Sequence, residues 1–269
     1  MSASVENSVE RKTYLRKRRL HRVAVLLTQI MILLAFLLIW ELAANARLID
    51  PFITSQPSRM LTTILMLHHD GSLYMHIWVT IVETFWGFIL GTGGGFLCAV
   101  LLWWSRSLNE ISEPYLVVLN ALPKVALGPL LIVWLGNGSA PIIGMALLIS
   151  IIVTIISLVS GFHDVDPDKV KLLQSFGASR LQILTKVVLP SSLPTIISTL
   201  KVSVGLCLVG VIMGEFLVSK AGLGYLIVYG SQVFKLDLVM VSIVILAAMA
   251  AILYSVVAFF EKRLLHWQK

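Results

Sequence analysis

An all-α integral membrane protein with six transmembrane helices is the architecture this sequence predicts, on three observations. Hydrophobic residues make up 58% of the chain and charged residues 13%, where a soluble domain carries about 25% charged residues. Mean hydropathy is +0.91. The apolar residues gather in runs that, at about 1.5 Å rise per residue, can cross a hydrocarbon core about 30 Å thick, and no two-residue alternation points to a barrel.

In order, a basic tail over 1–22 leads into a transmembrane body over 23–260, followed by a short tail over 261–269. The six runs are Val23 to Leu42, Ile77 to Trp104, Tyr115 to Leu135, Ala140 to Ser160, Leu193 to Val218 and Leu236 to Phe260. Trp40, Trp78, Trp103, Trp104 and Trp134 stand near run ends, where amphipathic rings prefer the headgroup region. Ala44-Asn45-Ala46 has the small-residue character of a signal cleavage site. The run before it exceeds the roughly 7–15 residues of a signal core, so a retained anchor is expected.

Lys and Arg set the orientation, because positive loops stay cytoplasmic. Arg11, Lys12, Arg16, Lys17, Arg18, Arg19 and Arg22 in the tail, Arg106, then Lys169, Lys171, Arg180 and Lys186 between runs four and five, and Lys262, Arg263 and Lys269 at the end all fall on one side. Only Arg47, Arg59, Lys220 and Lys235 fall on the other. Both termini are therefore expected in the cytoplasm. This asymmetry accounts for the net charge of +7, so no nucleic-acid partner is expected; the partner of the apolar runs is the lipid bilayer.

Small residues and prolines refine the runs. Gly87, Gly91 and Gly95 in the second, and Gly210 and Gly214 in the fifth, recur every fourth residue and permit close helix approach. Pro114, Pro123 and Pro129 punctuate the third run, and Pro190 and Pro194 open the fifth, where a missing N–H costs least. A third run in which Pro123 and Pro129 each free a carbonyl is expected to wall a conduit. Cys98 and Cys207 lie in apolar runs as small hydrophobes and supply neither a disulfide framework nor a metal cluster. His68, His69, His76 and His163 lack acidic partners at ligand spacing, which favours surface histidines over a membrane-embedded metalloenzyme.

The polar stretch 169–194 stands apart. Leu173, Phe176, Leu181, Leu184 and Val188 mark an apolar face, and Lys171, Gln174, Ser175, Ser179, Gln182 and Lys186 an opposite one. Gly177 is a joint between two short helices, and Asp166-Pro167-Asp168 is a helix start. Asp164, Asp166 and Asp168 make an anionic membrane face a poor host for it. A soluble protein partner is the better fit.

Gly177 followed after nine residues by Val187-Val188-Leu189-Pro190 resembles the second half of the loop signature of binding-protein-dependent ABC importer permeases. Ala121-Leu122-Pro123-Lys124-Val125-Ala126-Leu127-Gly128-Pro129-Leu130 with Trp134-Leu135-Gly136, and Gly214-Glu215-Phe216 with Gly222-Leu223-Gly224-Tyr225, resemble the sulfonate, nitrate, taurine and bicarbonate branch. Lys171-Leu172-Leu173 replaces the usual Glu-Ala-Ala, and Glu83 stands where that branch often carries a basic residue.

The resemblance implies a type I importer permease fold, with a coupling loop over about 162–190 that includes Asp164, Asp168, Lys171, Leu172, Leu173, Gly177, Ala178, Val187, Leu189 and Pro190. It implies two cytosolic ABC ATPase subunits, a second permease copy or homologue, and an extracytoplasmic solute-binding protein. The membrane is a bacterial inner membrane, and the cargo a small anionic solute such as a sulfonate, nitrate or bicarbonate. The chain has no Gly-x4-Gly-Lys-Ser/Thr loop, so no cofactor is expected on it; ATP and Mg belong to the partner ATPase.

Substrate-path candidates are Glu83, Asn120, Lys124, Lys201 and Glu215, because ionisable groups in a span face the bundle interior. Rival readings pair Glu83 with Lys124 or Lys201, let both lysines snorkel, and make Glu215 a solvated helix end. An ion-gradient-driven secondary transporter is the alternative function, although such folds need no polar docking helix.

Overall fold

The computed structural model describes residues 2–264, with side chains described for 13–263. It forms two compact units, the first up to Thr63 and the second from Ile64 on.

The first unit is built on α1 (Ser2–Asn45), whose segment Thr13–Asn45 is long and apolar enough to span a membrane. Asp50 accepts the Phe52 N–H at 2.9 Å and caps α2 (Pro51–Thr54). Pro57 begins α3 (Pro57–His69). Glu41, near the end of α1, accepts the Ser58 N–H at 3.1 Å and the Ser58 hydroxyl at 2.8 Å. A carboxylate there complements the positive end of α3.

The second unit contains the remaining spans: α4 (Ser72–Trp104), α5 (Arg106–Ala121), a 3₁₀ turn (Lys124–Leu127), α6 (Gly128–Leu135), α7 (Ser139–His163), α8 (Pro167–Ser175), α9 (Arg180–Ile183), a π turn (Leu184–Val188), α10 (Leu189–Ser191), α11 (Leu193–Val218), α12 (Leu223–Gln232) and α13 (Leu236–Leu264). Among the described residues, α1, α4, α7, α11 and α13 are each long and apolar enough to span, and the pair α5–α6 is so only when its two bent halves are taken together.

That break corrects the continuous third run. The chain bends by 87° between Ala121 and Lys124, because Pro123 disfavours the helical region for the residue before it and Leu122 takes an extended backbone. Pro129 frees no carbonyl; it lies in the first turn of α6, where its N–H is not needed. Pro114 alone lies inside a helix.

At the centre, α7 is flanked by α4 and α11. A Cβ on Gly87 would lie 2.5 Å from Ala146 Cβ, one on Gly95 2.7 Å from Thr154, and one on Gly210 2.5 Å from Ala146 Cα. The every-fourth-residue glycines therefore work within the chain, letting two backbones close on the same small face of α7. Lipid offers no hydrophobic drive for helix association, so such contact and buried hydroxyl bonds must hold the bundle. Thr154 and Ser203 supply one at 2.9 Å between α7 and α11. Leu208, Leu223, Leu226, Leu238, Leu246 and Met249 form an apolar cluster between α11, α12 and α13. Cys207 is buried and Cys98 half-buried, both without a disulfide.

Candidate functional site

The α7–α11 connection is built by consecutive capping motifs. Asp166 accepts the Asp168 N–H at 2.9 Å and Pro167 opens α8. At its other end Gly177 has φ +76°; its N–H reaches Gln174 O at 2.9 Å, and the Ala178 N–H reaches Leu173 O at 3.0 Å. This pair of bonds is a Schellman stop, which favours glycine because the left-handed backbone crowds a Cβ. Ser179 and Gln182 then form a reciprocal capping box for α9. Ser192 returns a hydroxyl bond to Gly161 O at 2.8 Å.

The predicted loop residues divide into two sets. Val187 is buried, and Leu173, Ala178 and Leu189 are half-buried against a cluster containing Phe162, Val165, Ile183, Leu184 and Val188. Asp164, Asp168, Lys171, Leu172, Gly177 and Pro190 face outward, with Lys171 3.4 Å from Asp168. The single apolar face expected over 173–188 does not form. Phe176 is 80% exposed and Leu181 58%, beside Leu172 at 55%. The turn at Gly177 breaks the helical phase, so residues on one wheel face in sequence point to different sides. Phe176 was therefore missed as an outward residue.

The substrate-path candidates occupy three separate places. Asn120 and Lys124 meet at the bend, where Lys124 Nζ donates to Asn120 O at 3.0 Å. Lys201 pairs with Glu261 at 2.5 Å and lies 5.7 Å from the Tyr254 ring centroid. Glu83 and Glu215 are 3% and 1% exposed and lie beside each other. Neither lysine reaches Glu83, which corrects the proposed ion pair: Lys124 finds a partner on α5 and Lys201 on α13. Nor is Glu215 a solvated terminus.

Glu215 instead staples the α11–α12 connection. Its two oxygens accept from the Thr80 hydroxyl at 2.6 Å and the Gly224 N–H at 2.5 Å. Thr80 Oγ1 in turn accepts the Leu223 N–H at 2.9 Å, and His76 Nδ1 accepts the Gly222 N–H at 3.0 Å. His76 is buried and stacks on Tyr225 at 5.9 Å, which corrects its expected surface position. Three consecutive amides of the α12 entry are thus satisfied by α4 and α11 side chains. Thr80 and His76 were not legible as site residues because the sequence separates them from Gly222 by about 140 positions.

Glu83 keeps one oxygen, Oε2, buried without a partner. The polar cluster joins α4 and α11 to the α12 entry, close to the start of α4 and the end of α11.

Residues 91–266 match the family of binding-protein-dependent transport system inner membrane components. The chain belongs to this family. A probable ABC transporter permease of Haemophilus influenzae is 31% identical over 85% of this chain and 93% of its own length. A putative aliphatic sulfonates transport permease of Bacillus subtilis is 27% identical over 86% and 83%, and a riboflavin transport system permease of Chloroflexus aurantiacus is 26% identical over 88% of each. A chain of the inward-facing MetNI methionine ABC transporter superposes with a TM-score of 0.64 at 17% identity, covering 73% of this chain and 97% of that one. The chain is an inner membrane component of an ABC transporter with the type I importer permease fold, and the family is a permease component, not an enzyme.

Proposed function

We propose that this permease forms half of the translocation pathway of an ATP-driven importer and takes its drive from a separate ATPase through the 162–190 connection. The observation that carries this reading is the connection itself. It is rigidly capped, anchored by Val187 and Val188, and presents Leu172, Phe176 and Leu181 outward among Lys171, Gln174 and Asp168. An exposed apolar triad on a polar connector favours a protein surface over lipid, given the acidic residues beside it.

In this reading both termini and the connection are cytoplasmic, two ATPase subunits carry the ATP and Mg, a second permease copy or homologue completes the pathway, and a solute-binding protein delivers cargo from the other side. Coupling then follows from linkage: ATPase closure shifts the pathway between two states only if the docked connection has different contacts in each. The cargo is proposed as a small anionic solute, in line with the sulfonate name of one relative; the riboflavin name of another shows how far cargo varies at similar identity.

The test is labelling of cysteines placed at Gln174 and Lys186. Modification by impermeant reagent only after cytoplasmic access is the expected result. Reaction from the exterior alone would overturn the reading. Stimulation of ATPase activity in the reconstituted complex by a panel of sulfonates, nitrate, bicarbonate and flavins identifies the cargo.

A further inference from the structure

A cavity of about 240 Å³ opens where α4 ends, lined by Trp103, Trp104, Arg106, Gln174 and Arg180 together with Val170 and Ile183. Its polar groups come from three elements. Arg180, from α9, donates Nη1 to the Trp104 carbonyl at 2.8 Å; this engages one of five guanidinium N–H groups and leaves the rest of the fork at the cavity. Arg106 is the first residue of α5, so the cavity also meets the positive end of that helix. Glu110 holds Arg106 Nε at 2.8 Å but does not line the cavity. Gln174 adds an amide from α8.

The location narrows the ligand. α4 is a span that ends at Trp104, and paired tryptophans at a span end mark the headgroup layer. Two guanidinium groups and a helix N-terminus in a pocket rimmed by indoles suit a phosphate oxyanion, which Arg recognises through its planar fork. At headgroup depth that oxyanion is a phosphodiester attached to acyl chains, which the apolar wall formed by the indoles would flank.

We propose that this cavity, which none of Asp164, Asp166 and Asp168 lines, binds the phosphodiester head group of an anionic phospholipid, bridging the end of α4 to the α8–α9 connection. None of the substrate-path candidates lines the cavity, and the proposal does not rest on the ATPase reading.

The experiment uses the full chain in bilayers, with Trp40, Trp78, Trp86, Trp134 and Trp267 replaced by Phe so that Trp103 and Trp104 alone report. Brominated phosphatidylglycerol is expected to quench them with a relative binding constant at least about five-fold above brominated phosphatidylcholine, the factor one basic side chain supplies near an anionic surface. Arg180→Gln is expected to bring the two lipids level. Gln174→Glu, which leaves the Arg180–Trp104 bond in place, should do the same. Equal quenching in the parent, or a preference that survives both variants, overturns the proposal. Relief of quenching by millimolar inorganic phosphate would assign the cavity to a free anion and also overturn it. Native mass spectrometry of the chain with all its tryptophans gives a second readout: Gln174→Glu should retain one phosphatidylglycerol fewer than the parent, and equal counts refute the site.

Discussion

Glu215 shows how a single side chain can be mistaken for a functional charge. Placed near the end of an apolar run, it reads as a solvated carboxylate or a substrate contact, yet both its oxygens are used on Thr80 and Gly224. Glu215→Ala would leave the buried Gly224 amide without an acceptor, at about 1–3 kcal/mol, and the Thr80 hydroxyl with only its longer bond to His76 O at 3.2 Å. A clearly lowered melting temperature of the solubilised permease is expected. Glu83→Gln should be far milder, because Glu83 Oε2 is buried without a partner and its replacement orphans no donor, whereas Glu215→Gln turns an amide N–H₂ toward one of two donors. A melting temperature for Glu83→Gln as low as that for Glu215→Ala would refute this division of roles. Candidate charges were visible in the sequence, since ionisable residues in apolar runs are conspicuous. Their partners were not: His76 and Thr80 carry no signal of their own until the α11–α12 connection is folded against them.

At the scale of an element, the α7–α11 connection was legible in its caps and illegible in its faces. Asp166-Pro167, Gly177 and Ser179 each announce a helix end by local chemistry, and each does that job. The helical wheel failed at Gly177 because one left-handed residue resets the phase, turning Phe176 and Leu181 outward. Gly177→Ala is expected to cost about 1 kcal/mol by forcing a Cβ into the left-handed region, read as a modest fall in melting temperature. Gly177→Pro cannot hold φ at +76° and should abolish cargo-linked uptake while the protein still inserts; normal uptake would remove the connection from the coupling route. Phe176→Asp separates docking from folding. It removes no buried contact, so thermal stability should stay unchanged while co-purification with the ATPase and uptake are lost.

Over the larger unit, stability in the membrane rests on backbone proximity rather than on large apolar side chains. Gly91 faces Ser150 and Gly210 faces Ala146, both on α7. Gly91→Val and Gly210→Val would push α4 or α11 off α7, and a strained core of this kind typically costs about 1–3 kcal/mol or more. Reduced yield of monodisperse protein is the expected outcome, with Gly93→Ala, whose added Cβ meets nothing within 4 Å, as the neutral control.

Five of the spans with their approximate limits, the polar connection, the caps and the small-residue stripes were determined by the sequence, because hydropathy, helix-end chemistry and four-residue spacing are local properties of the chain. Tertiary structure alone decided that the third span breaks by 87°, that Glu83 meets Glu215 rather than a lysine, that Lys201 meets Glu261, and that Arg180 reaches the end of α4. These pairings join residues far apart in the chain, and which buried polar group finds which partner depends on how helices cross, a property no single segment carries.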